Sequence, residues 1–168
     1  MKSIFKLFVA AFLTVAPLTA NAQSNVAHIN VQQLISEMPE VIAAQNELAK
    51  LEKDYTTQID NAFKEFQTKA QSYSSDAANQ TDVTNQARQK ELESMQTNLQ
   101  EFRDSAAQEL QKKQMDLMTP LLEKARNAIT KVGEEQGFNY VIDSSPNGGI
   151  ILANGKDLLA DVKKELGF

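Results

Sequence analysis

The hydrophobic residues of this chain fall on two long, narrow stripes separated by polar positions. Within residues 41–78 and 84–132, Gln, Glu, Lys, Ala, Asn and Ser dominate, glycine is absent, and Pro120 is the sole proline. The apolar residues recur at steps of three and four, which places them on one face of a helix. The first stripe is Leu48, Leu51, Tyr55, Ile59, Ala62, Phe66, Ala70 and Tyr73, and the second is Leu92, Met95, Leu99, Phe102, Ala106, Leu110, Leu117, Leu121, Ala125, Ala128 and Val132. The pattern predicts two long helices with coiled-coil-like faces, the second lacking one apolar position near Gln114.

A polar stretch from Ser74 to Asp82 separates the two stripes, and it contains the helix N-cap formers Thr81 and Asp82. The helices are therefore predicted to fold back on each other as an antiparallel hairpin with a turn near residues 76–82. A helix of about 38 residues is roughly 57 Å long. The hairpin must project from whatever anchors it. Pro120 predicts a bend in the returning helix, and we favour a fixed bend over the alternative of a hinge.

The two ends of the chain contain the predicted strands of a small body. Residues 26–31 and 138–143 are predicted strands, and Asn147, Gly148 and Gly149 form a turn into a further strand at 150–153. A short final helix follows, with Leu158, Leu159, Val162 and Leu166 on one face and Gly167 as its stop signal. The fold class is α+β, mostly α: a hairpin arm over residues 44–132 and a body over residues 23–43 and 133–168.

The body has 57 residues, close to the size at which a single core is marginal. Its strands are apolar on both faces, which favours burial on both sides. We therefore expect the body to oligomerise, the alternative being a weakly stable monomeric domain. The candidate interface residues are Val26, Ile29, Val31, Val141, Ile142, Ile150 and Leu152.

The N-terminus has the pattern of a signal peptide over residues 1–22. Lys2 and Lys6 precede an apolar run from residue 7 to 18, and Ala20-Asn21-Ala22 offers a cleavage site before Gln23. The run is shorter than the roughly 20 residues that span a bilayer, and no later segment is apolar enough to stop transfer. The pattern predicts an exported periplasmic protein without stable membrane insertion. Because cysteine is absent, lipid anchoring through cysteine and disulfides are excluded.

The charge of the chain is acidic, and this excludes some partners. Loss of the leader removes two lysines and no acids, so the net charge falls from −5 to −7. We expect no nucleic-acid binding, because that requires a basic surface. The arm is close to neutral, with 12 basic and 14 acidic residues between Gln45 and Lys131.

The candidate chemistry is sparse, and we predict no catalytic residue, metal site or cofactor. His28 is the only histidine and lies in a predicted strand, where a packing or interface role is expected. Asp143, Ser144 and Ser145 resemble a site, but turn chemistry accounts for them, and no second histidine completes a triad. The chain has neither a Walker lysine motif nor a Gly-x-Gly-x-x-Gly loop, so no nucleotide is expected. A hydrolase with an unusual site remains an alternative.

The order of these features resembles the OmpH/Skp family over essentially the whole mature chain. The resemblance rests on the early strand Val-Ala-His-Ile-Asn-Val before Pro39, the paired long helices, the segment from Gln136 to Asp143, and the closing run from Leu158 to Lys164. It implies a jellyfish-shaped homotrimer whose bodies share a β-barrel and whose arms enclose a cavity. It also implies a holdase chaperone that keeps unfolded outer-membrane proteins from aggregating without ATP.

Client contacts are expected at apolar residues that lie off the two stripes, namely Phe63, Val83, Met115 and Met118. Packing within the hairpin is the alternative role for each. The best-known branch of the family is basic, whereas this chain is acidic, so lipopolysaccharide binding is doubtful and electrostatic capture of clients should be weak. Two other classes remain: an envelope adaptor that docks a fixed partner, and a prefoldin-like cytoplasmic holdase, which the leader disfavours.

Overall fold

The computed structural model describes residues 25–146 and 148–168. The predicted signal peptide and its cleavage site at Ala22 and Gln23 lie outside the described residues. The elements in chain order are β1 (Val26–Ile29), α1 (Val31–Glu37), α2 (Pro39–Asp76), a 3-10 turn (Ala77–Asn79), α3 (Asp82–Glu135), β2 (Tyr140–Asp143), β3 (Lys156–Asp157) and α4 (Leu159–Leu166). The predicted fold class is confirmed: a long helical hairpin, the arm, projects from a small body that contains the strands.

Helices α2 and α3 begin where the local sequence favours it. Pro39 occupies the first turn of α2, where its missing N–H is not needed. The Thr81 hydroxyl accepts the Thr84 backbone N–H and so caps α3. With 38 and 54 residues, the two helices extend about 57 and 81 Å at 1.5 Å per residue.

Every residue in the two predicted stripes is buried or half-buried, as expected if the stripes face each other in the hairpin. Contacts across the hairpin follow an antiparallel register, in which residues near the base of α2 meet residues late in α3. The contacting pairs are Glu40 with Lys124, Glu47 with Lys113, Tyr55 with Phe102, Lys69 with Glu91, and Asp76 with Arg88. Two polar ends and an aromatic middle thus fix the pairing of the helices.

The body is a three-stranded parallel sheet in which β1 lies between β2 and β3. Ala27 and Ile29 point from β1 into the core, where they meet α1, the base of the arm and α4. The largest fully buried side chains of this core are Ile29, Leu34, Met38, Val41, Leu158 and Val162. Both ends of the chain and both long helices therefore contribute to one small core.

Two of the predicted strands are present but shorter than predicted, with β2 beginning at Tyr140 rather than Phe138, and the strand predicted at 150–153 was wrong. Strand β1 ends at Ile29, because the Asn30 side chain accepts the Gln33 backbone N–H and starts α1, so Val31 is helical. Residues 150–153 form an irregular segment rather than a strand, and the third strand is Lys156–Asp157. Residues 150–153 have no strand partner among the described residues, since the edge of β1 opposite β2 is paired with β3.

Candidate functional site

The arm carries an apolar groove half-way along its length. Phe66 and Leu99 form its floor, Phe63 stands at its side with 40 % of its surface exposed, and Gln100 and Arg103 are among its polar borders. The groove encloses about 450 Å³. Because both long helices contribute apolar side chains to the floor and α3 contributes the polar borders, the groove offers a shallow contact for an apolar side chain.

The four predicted client-contact residues are spread along the arm rather than gathered at one site. Phe63 lies mid-arm, Val83 is exposed in the first turn of α3 at the tip, and Met115 is exposed closer to the base. Met118 is half-buried and packs against the core of the body, so it offers less surface. The stripe pattern did not single out Ile42 and Leu122, which are also exposed near the base.

The missing apolar position in the second stripe is occupied by Lys113. Its side chain is half-buried between Leu110 and Leu117 on the face toward α2, and its Nζ lies 2.8 Å from the Glu47 carboxylate. Gln114 itself is exposed. The hairpin therefore contains one ion pair where its neighbours make apolar contacts, and this weakens the packing locally.

A polar cluster joins the helices near the tip. The Lys69 ammonium and the Tyr73 hydroxyl both donate to Glu91 at 2.6 Å, and Arg88 pairs with Asp76 at 3.0 Å while stacking over Tyr73. The Lys69 ammonium, helped by the Tyr73 hydroxyl, holds the pKa of Glu91 below its usual value. Each cation of the cluster is paired with a carboxylate of the other helix, so the cluster joins the two helices.

One face of the sheet in the body is uncovered. Residues alternate along a strand, so Val26, His28, Tyr140 and Ile142 point away from the core, and we call these four the exposed sheet face. Tyr140 is 64 % exposed, and the Nδ1 atom of His28 lies 3.1 Å from the Ser144 hydroxyl. Residues 25–146 and 148–168 of a single chain leave this largely apolar surface partly exposed.

The body also has a groove of about 620 Å³ beside β2. Its apolar lining comes from α1, α3, β2 and the loop between α3 and β2, and includes Val31, Ile35, Leu122, Ile129, Phe138 and Val141. The outer edge of β2 has no strand partner within the described residues. Elsewhere on the body, the segment Ile150–Leu152 projects three apolar side chains, and Ile151 is fully exposed.

The predicted interface residues occupy different environments. Ile142, Ile150 and Leu152 are exposed, Val26 is half-buried on the exposed sheet face, and Val31 and Val141 line the groove beside β2. Ile29 is 1 % exposed and packs inside the core of its own chain, so its side chain has no surface for a second copy.

The Asp143, Ser144 and Ser145 sequence forms a structural link rather than a triad. The Asp143 carboxylate accepts the Ser145 hydroxyl at 2.6 Å, the Ser145 backbone N–H at 2.9 Å and the Val31 backbone N–H at 3.3 Å. Burial alone would raise the pKa of Asp143, but these three hydrogen bonds together hold it below its usual value. The link ties the end of β2 to the start of α1, and His28 contacts Ser144 rather than Asp143.

Across residues 25–146 and 148–168, no cluster of three or more His, Cys, Asp or Glu side chains is arranged to hold a metal ion. In the same residues, no helix combines the length and apolar character needed to cross a membrane.

Comparison with known proteins gives a consistent match over arm and body together. The family described as outer membrane protein (OmpH-like) matches residues 25–166. The chaperone protein Skp of Yersinia enterocolitica is 27% identical over 148 residues, covering 85% of this chain and 86% of that protein. The chaperone protein Skp of Pectobacterium atrosepticum is 20% identical over 151 residues, covering 90% of each. The crystal structure of an OmpH-like protein from Caulobacter crescentus superimposes with a TM-score of 0.77 at 12% identity, covering 86% of this chain and 85% of that one.

Proposed function

We propose that this chain, which belongs to the OmpH-like outer membrane protein family, is a periplasmic chaperone that binds unfolded outer-membrane proteins and prevents their aggregation. The observation that carries the proposal is the family match over residues 25–166, which includes the whole arm and nearly all of the body. The two Skp relatives, both called chaperones, support it over 85% and 90% of the chain.

The arm suits a holding role because its exposed apolar residues are few and separated. An unfolded β-barrel protein exposes apolar side chains and unpaired strand edges, and both drive aggregation. Phe63, Val83 and Met115 each offer a small contact at a different height along the arm. Several weak contacts retain a client together and break one at a time, so release needs neither ATP nor a catalytic step.

Self-association of the body completes the proposal. The exposed sheet face, the free edge of β2 and the projecting segment Ile150–Leu152 are apolar or unpaired surfaces on one small body. The predicted strand at 150–153 has no partner in the part of the chain that the structure describes, and the outer edge of β2 in a second copy is a suitable partner. We propose a homotrimer, with three arms around one client.

The first test is suppression of aggregation. A denatured outer-membrane β-barrel protein is diluted from urea with and without the mature protein, and light scattering is recorded. We expect suppression at about one oligomer per client, with a soluble complex recovered by gel filtration. Unchanged aggregation by a folded, oligomeric protein would refute the chaperone role and favour an envelope adaptor that docks a fixed partner.

A matched pair of variants tests the arm contacts. The triple variant Phe63→Ser, Val83→Ser, Met115→Ser removes the three exposed apolar side chains. The control Gln67→Ser, Gln86→Ser, Gln111→Ser changes three exposed polar residues at similar heights. We expect the first to lose affinity for the client by tenfold or more and the control to retain it. Equal affinities would place the client elsewhere on the molecule.

Salt dependence tests the kind of force. The arm has nearly balanced charge, so apolar and backbone contacts should dominate binding and screening should matter little. Client affinity measured from low to high salt is expected to change less than tenfold. A larger loss would show that electrostatic capture dominates despite the balanced charge.

A further inference from the structure

Two asparagines of the body precede a glycine, in the pairs Asn147-Gly148 and Asn154-Gly155. An asparagine in this position is open to spontaneous deamidation, because glycine has no Cβ atom to hinder attack by its backbone nitrogen on the preceding side chain. The Gly148 N–H donates to the Ser145 carbonyl oxygen at 2.7 Å. Within the described residues the Gly155 N–H has no backbone acceptor, and Asn154 and Gly155 are both exposed. The attacking nitrogen is therefore held in the first pair and available in the second.

We propose that Asn154 deamidates spontaneously in the folded protein and that its isoaspartate product loosens β3 from β1. The Gly155 nitrogen loses its proton to hydroxide and forms a bond to Cγ of Asn154, the Cγ–Nδ2 bond breaks, and ammonia leaves. Water then opens the cyclic imide. Opening at the side-chain carbonyl gives aspartate, and opening at the main-chain carbonyl gives isoaspartate, whose main chain runs through Cβ and Cγ. The reaction needs neither a client nor a second copy of the chain, so it is independent of the chaperone role.

The fold itself requires glycine at the attacking position. A Cβ atom added at Gly155 would lie 2.7 Å from the carbonyl oxygen of Val26 on β1. That oxygen belongs to the backbone, which cannot move aside without disturbing the pairing of β1 with β3. Glycine beside a strand often marks such a close approach of two backbones. The reactive pair is therefore a consequence of the way in which the chain enters β3.

The position of the product makes it disruptive. Strand β3 has two residues, and its register with β1 pairs Ala27 with Lys156 and His28 with Asp157. Isoaspartate inserts one extra backbone atom just before this strand, and so short a strand has few hydrogen bonds to hold it in register. The next residue, Leu158, is fully buried, and its N–H donates to the His28 carbonyl oxygen at 3.0 Å. The Leu158 amide therefore reports whether β3 remains in place.

The first test compares the two pairs within one chain. The mature protein is incubated at mildly alkaline pH and digested with trypsin, which releases residues 132–156 as one peptide that contains both pairs. Fragment masses assign the exchange of –NH2 for –OH to Asn147 or Asn154. In the folded protein Asn154 should react roughly threefold faster or more, because one hydrogen bond restrains the competing nitrogen. In guanidinium chloride that hydrogen bond is lost, and the two rates should become similar. No reaction at Asn154 in the folded protein, or one no faster than at Asn147, would overturn the proposal.

The second test measures the effect on β3. Deamidated protein is separated from the native form by anion exchange, its isoaspartate content is measured with an isoaspartyl methyltransferase, and hydrogen exchange of the Leu158 amide is followed. Asn154→Asp has the same charge without the extra backbone atom and is the matched control. Loss of one backbone hydrogen bond should speed exchange in the isoaspartate form by up to about tenfold, whereas Asn154→Asp should match the wild type. Wild-type exchange in the isoaspartate form, or equally fast exchange in Asn154→Asp, would overturn the loosening of β3 by the extra backbone atom.

Discussion

Gly133 offers the sharpest test of how the arm joins the body. It is a buried residue of α3, and a Cβ atom added there would lie 2.8 Å from Cγ2 of Val141 on β2. In an exposed helix, Gly→Ala stabilises by about 1 kcal/mol. Here the added methyl overpacks the contact, which costs about 1–3 kcal/mol. Valine is stiff at χ1 and β2 is hydrogen-bonded to β1, so the overpacking should prevail. We expect Gly133→Ala to lower the free energy of unfolding by about 1 kcal/mol.

A double-mutant cycle separates the two effects. Val141→Ala alone removes two partly buried carbons and should cost about 1 kcal/mol. In that background, Gly133→Ala has room for its methyl and should be neutral or stabilising by up to about 1 kcal/mol. The coupling energy between the two sites should therefore be about 1–2 kcal/mol in favour of the double variant.

Urea unfolding followed by far-UV circular dichroism gives these free energies. All variants are compared at one protein concentration, because self-association adds apparent stability. Ala107→Gly, an exposed position in the same helix, measures helix propensity without the contact. If Gly133→Ala were at least as stable as the wild type and showed no coupling to Val141→Ala, the close approach of α3 to β2 would be wrong.

Three other substitutions probe the link, the arm and its proline. Ser145→Ala removes the buried hydroxyl that bonds Asp143 and the Gln32 N–H, and should cost about 1–2 kcal/mol in urea unfolding at pH 7. The pKa of Asp143 is lowered in the folded state, so the ionised carboxylate stabilises the fold above its ordinary pKa, and this stabilisation is lost as pH falls through the lowered pKa. Ser145→Ala should therefore lose less unfolding free energy than the wild type between pH 5 and 3. Equal losses in the two proteins would show that the Ser145 hydroxyl does not stabilise the Asp143 carboxylate. Lys113→Leu replaces a partly exposed ion pair with an apolar residue on the face toward α2, so it should raise the unfolding free energy by about 0.5–1 kcal/mol. A lower unfolding free energy would mean that the ion pair with Glu47 stabilises the hairpin more than apolar packing does. Pro120→Ala should restore the backbone hydrogen bond to the Asp116 carbonyl and stabilise the arm by up to about 3 kcal/mol. If the variant also holds a different range of client sizes, Pro120 acts as a hinge rather than as a fixed bend.

The arm was predictable because its structure is local. Each stripe residue, such as Leu51 or Leu99, is spaced by the helix period from its neighbours, and the same spacing that forms the helix forms its buried face. The missing position near Gln114 was visible as a gap. Its occupant, Lys113, was not identified, because a charged residue gives no apolar signal even when it lies on the buried face and finds a partner 66 residues away.

The body was less predictable because its strands are short and depend on distant partners. Val31 has the β-branched side chain of a strand residue, but the Asn30 cap starts a helix there. The segment 150–153 has strand composition and yet is irregular, since a strand exists only where a neighbour supplies hydrogen bonds. Sequence alone also named Ile29 as an interface residue. In the structure, alternation along β1 directs its side chain into the core of its own chain.

The position of β1 between β2 and β3 has a consequence for the kinetics of folding. The pairs that join β1 to β2, such as Val26 with Tyr140, link residues 114 apart in sequence, and closing a loop of that length costs roughly 4 kcal/mol of chain entropy. Pairing of the two long helices can instead begin near the turn, where Asp76 and Arg88 are only 12 residues apart, and continue toward the base. Once the helices are paired, the two ends of the chain are already close. Weakening the arm should therefore slow the refolding of a sheet that most of the arm never touches.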